Sequence, residues 1–121
     1  MKNKVLIVED ETDILNTLLF SFRHEGFSCE SAQTGPDALI AASQFVPDLV
    51  LLDLNIPGLD GMEVCLRLKN DPKTAKVKVL MLTARAQRDD KFLGAEVGAD
   101  AYVTKPFDLE NVIVRAKALL G

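Results

Sequence analysis

Long apolar runs are missing from this chain of 121 residues. No stretch of roughly 18 apolar residues occurs, so no segment reads as a membrane span. An excess of basic charge is missing too. Lysine and arginine number 14 against 18 acids, a net charge of −4, which argues against broad electrostatic binding of nucleic acid by this domain. Cysteine is scarce. Cys29 and Cys65 lack metal-ligand spacing, and without a secretory signal they read as two buried thiols in a reducing cytoplasm. The opening MKNKVLIVEDE has four apolar residues before its acids and does not read as a signal peptide. No repeat, low-complexity tract or Pro/Ser-rich linker interrupts the chain, so residues 1–121 read as one domain.

What is present is an alternation of short apolar runs with helical patterns. VLIV (5–8) reads as a strand buried on both faces. In 12–26, Ile14, Leu15, Leu18, Leu19 and Phe22 fall at helical spacing, with Gly26 as a stop. FSCES (27–31) is a short alternating strand. Thr34 can cap a helix whose first turn holds Pro36 and whose inner stripe is Ala38, Leu39, Ala42 and Phe45. DLVLLD (48–53) is the most apolar strand, and a helix follows over 60–70. VKVLMLT (77–83) is strand four, a fourth helix is expected over 86–97, and AYVT (101–104) is strand five. Asp108 then caps a last helix with Val112, Ile113, Ala116 and Leu119 inward. Five βα units with continuous apolar strands imply a parallel sheet covered on both faces, with right-handed crossovers. In such sheets ligands sit beyond the carboxyl ends of the strands, where strand order reverses.

The residues at those ends are chemical. Glu9, Asp10 and Glu11 follow strand one. Asp53 and Asn55 follow strand three, Thr83 and Ala84 strand four, and Thr104, Lys105 and Pro106 strand five. The turn after strand one is EDETD, with no glycine to bring backbone N–H groups to a phosphate. Dinucleotide, P-loop and flavin-phosphate readings are therefore disfavoured. Like charges as close as Glu9, Asp10 and Asp53 raise one another's pKa, and a hard divalent cation or Lys105 would relieve them. Magnesium suits a site of carboxylates, one carbonyl and retained waters, supplied here by Asp10, Asp53 and the Asn55 backbone carbonyl. An EF-hand reading of DLNIPG fails, since Pro57 stands at position five and Val64 where a bidentate Glu is needed.

VLIVEDE, PDLVLLDLNIPGLDG, MLTA and YVTKPF, in this order and at strand ends, resemble the response-regulator receiver domains of two-component signalling (the CheY-like superfamily) over the whole chain. The resemblance implies a flavodoxin-like, doubly wound α/β fold: a five-stranded parallel sheet, order 2-1-3-4-5, with five helices. It implies Asp53 as phosphoacceptor, Glu9 and Asp10 as the acidic pair holding Mg2+, and Lys105 as the family's lysine. Thr83 becomes the switch hydroxyl, Tyr102 the switch aromatic, and the Lys105–Pro106 bond is expected to be cis. The implied partners are a sensor histidine kinase or phosphotransfer protein and an effector domain or downstream protein.

The chemistry fits these residue types. A carboxylate can attack phosphohistidine to form an acyl phosphate, with Mg2+ and Lys105 neutralising the phosphoryl oxygens. The domain is then a phosphoacceptor that promotes its own phosphoryl transfer and dephosphorylation, not a conventional enzyme. The added charge and acceptor oxygens would draw Thr83 over and let Tyr102 turn inward. The helix over 86–97, anchored mainly by Phe92 and Leu93 and holding Gly94, is the expected moving part, so its face with strand five and the last helix would shift. That face serves as a homodimer surface in many relatives, with Lys91 and Arg115 available. The run Asp100-Ala101-Tyr102 lacks the second acid such dimers use. Asn55 and Arg85 flank the expected phosphoryl group, and the lone His24 reads as a surface residue. Two competing readings are a pseudo-receiver that binds without taking phosphate, and a small hydrolase using Asp53. The first is opposed by the intact acid set with Thr83 and Lys105; the second lacks an acid at Asn55. The final LLG fits a free-standing receiver as well as the front of a longer regulator.

Overall fold

The computed structural model describes residues 3–84 and 98–121. Strands β1 (Lys4–Val8), β2 (Ser28–Ala32), β3 (Leu49–Asp53), β4 (Lys78–Ala84) and β5 (Ala101–Lys105) form one sheet in the order β2-β1-β3-β4-β5. Every pairing is parallel. Four helices are present among the described residues: α1 (Thr12–His24), α2 (Gly35–Phe45), α3 (Gly61–Asn70) and α4 (Leu109–Leu120). The fifth helix expected over 86–97 lies outside the described residues, as do Arg85, Lys91, Phe92, Leu93 and Gly94. No helix among the described residues is long and apolar enough to cross a membrane.

Strand alternation divides the core in two. Leu6, Val8, Val50, Leu52, Val79 and Met81 point to one side, where Ala38 and Ala42 of α2 and Val64, Cys65 and Leu68 of α3 cover them. Val5, Ile7, Leu49, Leu51, Leu80, Leu82 and Val103 point to the other, under Leu15, Leu18 and Phe22 of α1 and Val112 and Ala116 of α4. This is why VLIV and LVLL read as unbroken apolar runs: each face has its own cover. Both thiols are buried as expected. Cys29 belongs to the α1/α4 side and Cys65 to the α2/α3 side, so the sheet separates them.

The helix starts carry the expected caps. Thr34 Oγ1 accepts from the Asp37 N–H at 3.2 Å, and Asp108 Oδ1 accepts from the Glu110 N–H at 3.0 Å. Helix α2 ends less comfortably. Val46 adopts φ 47° and ψ 69° while its N–H donates to the Ala42 carbonyl. A β-branched side chain in the left-handed region is strained, and this one is 42% exposed and outside both core clusters, so only part of its burial is at stake. Val46→Gly is expected to stabilise the fold by about 0.5–1 kcal/mol, the relieved strain outweighing the freedom glycine gains when unfolded. Urea unfolding measures it, and a lower midpoint would refute it.

Candidate functional site

The sheet's alternation places the reactive residues. Glu9 directly follows β1, Asp53 ends β3 and Lys105 ends β5. All three continue the alternation of Ile7, Leu51 and Val103, the α1/α4 side. Val8 pairs with Leu52, so Glu9 and Asp53 stand next to each other beyond the ladder. Lys105 reaches across from β5. Its Nζ donates to Glu9 Oε1 at 2.9 Å and to Asp53 Oδ2 at 3.0 Å. The remaining oxygens are also occupied: Glu9 Oε2 accepts from the Glu11 N–H at 3.1 Å, and Asp53 Oδ1 from the Asn55 N–H at 3.0 Å.

Burial sets the electrostatics. The Glu9 side chain is 0% exposed and that of Asp53 4%, while Lys105 keeps 20% of its own surface. Burial pushes the Glu9 carboxyl up to about 7, against the pull of Lys105 and the Glu11 N–H and with help from the charge of Asp53. Burial alone would lower the Lys105 ammonium's pKa, but its hydrogen bonds to Glu9 and Asp53 outweigh that, and the net shift is upward. Glu9 is therefore no member of a solvated loop.

Asp10 is exposed at the rim, and its backbone carbonyl accepts from Gln33 Nε2 at 3.2 Å. One carboxylate oxygen from each of Glu9, Asp10 and Asp53 can be taken so that all lie within 4.8 Å of one another. Three carboxylates against one ammonium leave negative charge uncompensated, and an all-oxygen donor set suits a hard cation such as magnesium. The site lies where strand order reverses, between β1 and β3, as open parallel sheets require.

Thr83 and Tyr102 belong to the other side of the sheet. Thr83 pairs with Thr104, and Met81 with Tyr102, so both follow the alternation of Met81 toward α2 and α3. Thr83 is buried, and Tyr102 packs half-buried against the core that contains Cys65, where burial raises its phenol pKa. They are diagonal neighbours on adjacent strands. The Lys105–Pro106 peptide is cis. His24 is exposed with its ring stacked on Phe20, and Val64 is fully buried inside α3, which closes the calcium-loop reading.

Two supporting residues escape sequence reasoning. Gln33 joins Asp10 to Thr12, whose Oγ1 lies 3.3 Å from Gln33 Nε2, but nothing in its local sequence marks it. Gly61 starts α3 against the strand end: a Cβ there would lie 2.7 Å from the Asp53 carbonyl oxygen and from Leu54 Cα. Its signal was available, a glycine at a first helical position where other residues are better helix formers.

Fold and site together define an open, doubly wound α/β protein with a lysine-bridged acidic site at its switch point. Residues 5–117 match the model of the response regulator receiver domain, and the chain belongs to that family. It is thus the receiver domain of a response regulator in two-component signalling, a signalling domain rather than a turnover enzyme. The chain is 42% identical over 117 residues to the DNA-binding dual master transcriptional regulator RpaA of Synechocystis sp., covering 97% of this chain and 48% of that protein. It therefore spans about half the length of that curated relative. Solved structures share the fold, two of them as follows. The CheY-like receiver domain protein of Methanospirillum hungatei JF-1 has a TM-score of 0.92 at 27% identity, over 99% of this chain and 94% of that one. The chemotaxis response regulator CheY4 of Vibrio cholerae has a TM-score of 0.92 at 27% identity, over 98% and 99%.

Proposed function

We propose that the chain is a phosphoacceptor switch in which Asp53 takes a phosphoryl group from a sensor-kinase or phosphotransfer phosphohistidine. The observation that carries this reading is the double hold on Asp53. A rigid strand ends at its backbone, the Asn55 N–H fixes one carboxylate oxygen, and Lys105 fixes the other. A carboxylate so held approaches phosphorus in one orientation and needs no general base. The new bond is Asp53 oxygen to phosphorus; the bond broken is phosphorus to imidazole nitrogen, and the imidazole leaves neutral, keeping the proton already carried by its other ring nitrogen. Lys105, already 3.0 Å from an Asp53 oxygen, stays at hand for the phosphoryl oxygens. Asp10, Asp53 and the Asn55 carbonyl would hold Mg2+, with Glu9 completing the acid set. The bound ion would supply the positive charge that an acidic site otherwise lacks for an incoming phosphate.

The switch follows from the sheet's two sides. The phosphoryl group forms on the α1/α4 side, and Thr83 must move to meet it, vacating space toward Tyr102. The output passes to an effector domain or a downstream protein. An open cleft of about 440 Å³ beside the site, lined by Ile14, Lys105, Pro106 and Phe107, offers an apolar seat for the phosphodonor. A homodimer through the β5 face has less support, because Asp100 turns its carboxylate to Lys69 and the Val79 N–H.

The test is intact mass after incubation with a small acyl phosphate. A gain of one phosphoryl group with Mg2+, lost without the metal and lost in Asp53→Asn, is the expected result. No gain with any donor would mean a pseudo-receiver, and turnover of unrelated phosphoesters would mean a hydrolase.

A further inference from the structure

Two aspartates outside the site make the same pair of contacts. The Asp48 N–H donates to the Lys4 carbonyl at 2.8 Å, while Asp48 Oδ2 accepts from the Lys4 N–H at 2.8 Å. The Asp100 N–H donates to the Val79 carbonyl at 2.9 Å, while Asp100 Oδ2 accepts from the Val79 N–H at 2.8 Å. Each aspartate stands one residue before a strand and grips the residue just before the first pair of the neighbouring ladder. Asp48 precedes the pair Val5–Leu49, and Asp100 the pair Leu80–Ala101. The spacing to the site is also the same. Five residues after Asp48 comes Asp53, and five after Asp100 comes Lys105.

We propose that Asp48 and Asp100 are register clasps, positioning residues that deliver the Asp53 carboxylate and the Lys105 ammonium to the same face of the sheet. The need for such a device is physical. A one-residue slip of a strand turns every side chain to the opposite face. Burial normally forbids a slip by penalising polar residues turned inward. Strand β3 is buried at all five positions, and its LVLL run is apolar on both faces, so burial barely distinguishes one register from the next. Strand β5 stands at the sheet edge with only Val103 buried, so its register is weakly specified as well. A slip of either strand would turn Asp53 or Lys105 away from the other.

A clasp has what a register marker needs. It satisfies one donor and one acceptor of a single partner residue, and it does so with a charged oxygen, which makes the stronger kind of hydrogen bond. Each clasp is itself secured. The Asp48 carbonyl accepts from the Lys78 N–H at 3.0 Å, tying β3 to β4 on its other side. Lys69 of α3 donates to Asp100 Oδ2 at 3.0 Å and to the Val77 carbonyl at 2.6 Å, tying β5 and β4 to the helix beneath Tyr102.

The test compares Asp100→Ala and Asp100→Asn with the parent chain. Cross-strand proximity of Thr83 to Thr104 and of Ala84 to Lys105 is read by NMR without any phosphodonor. In Asp100→Ala these contacts weaken or shift, and metal-dependent phosphorylation of Asp53 slows about tenfold. In Asp100→Asn the amide oxygen still accepts from the Val79 N–H, so the contacts persist and the rate stays within about twofold. Unchanged contacts and rate in a folded Asp100→Ala would overturn the proposal. A second measurement needs no variant: in the parent, the Lys4 and Val79 amides must exchange slowly with solvent, and exchange at the rate of open loop amides would also overturn it. A parent that takes no phosphoryl group counts against the proposed function alone, since contacts and exchange are read independently.

Discussion

Lys105→Met is expected to cost the metal-free fold about 2–3 kcal/mol and to slow phosphoryl transfer to Asp53 at least tenfold. The lysine is the one cation that bridges Glu9 and Asp53 among the described residues, and both carboxylates are almost wholly buried. Removing one partner of a buried pair typically costs about 3–5 kcal/mol, because the other charge is left without compensation. Here the loss is smaller, since the Glu9 carboxyl, already pushed up to about 7, can take a proton in place of the lysine. The pH dependence follows. A carboxyl whose folded pKa lies above its unfolded value of 4.5 binds more protons when folded, so falling pH favours the native state. Lys105 itself holds the Glu9 carboxyl down, so in the variant that carboxyl keeps its proton above pH 7. The deficit is therefore smallest at and below pH 7, where Glu9 is protonated with or without the lysine, and grows as the pH rises from 7. Urea unfolding on both sides of pH 7 measures it. A variant with the parent's midpoint at every pH and the parent's transfer rate would show that the bridge contributes nothing.

Gly61→Ala is expected to destabilise the fold by about 2–3 kcal/mol and to slow phosphorylation about 10- to 100-fold. Helix propensity by itself gives the opposite sign, since alanine in a helix is favoured over glycine by up to about 1 kcal/mol. Contact geometry decides between them. A Cβ at Gly61 would meet the Asp53 carbonyl oxygen and Leu54 Cα at 2.7 Å each, and Leu54 Cδ2 at 3.2 Å. Two of these three atoms are backbone and cannot swing aside. Either α3 backs away, or the strand end carrying Asp53 moves and takes its carboxylate out of line with Glu9 and Lys105. Thermal melting and the phosphorylation rate report the two consequences separately. A variant more stable than the parent and equally reactive would sink the packing argument.

The legibility of the fold was uneven for reasons visible at particular residues. Strand ladders begin at Ser28, Leu49 and Lys78, one residue later than the apolar patterns suggest, because Phe27, Asp48 and Val77 lie just outside the pairing. Phe27 packs on Phe22 with ring centroids 5.4 Å apart, so it is apolar for the core and not for the strand. Asp100 read as a surface acid of a dimer face. Its carboxylate is turned inward, because the partners that draw it, Lys69 and Val79, are 31 and 21 residues away in the chain. Gln33 carried no local mark at all.

By itself the sequence determined the alternation of strands and helices, the parallel sheet, and the set of chemical residues at its carboxyl edge. Those properties follow from periodicity and from what can end a buried strand, and both are local. Only the tertiary structure decided which acid meets the lysine. Glu9 and Asp10 are neighbours with the same charge, yet one is fully buried on Lys105 and the other exposed at the rim. The difference is one step of strand alternation, and its outcome depends on registers set between β1, β3, β4 and β5. The same burial raises the Glu9 carboxyl to about 7, a consequence of low polarisability around a charge that no reading of a single segment contains.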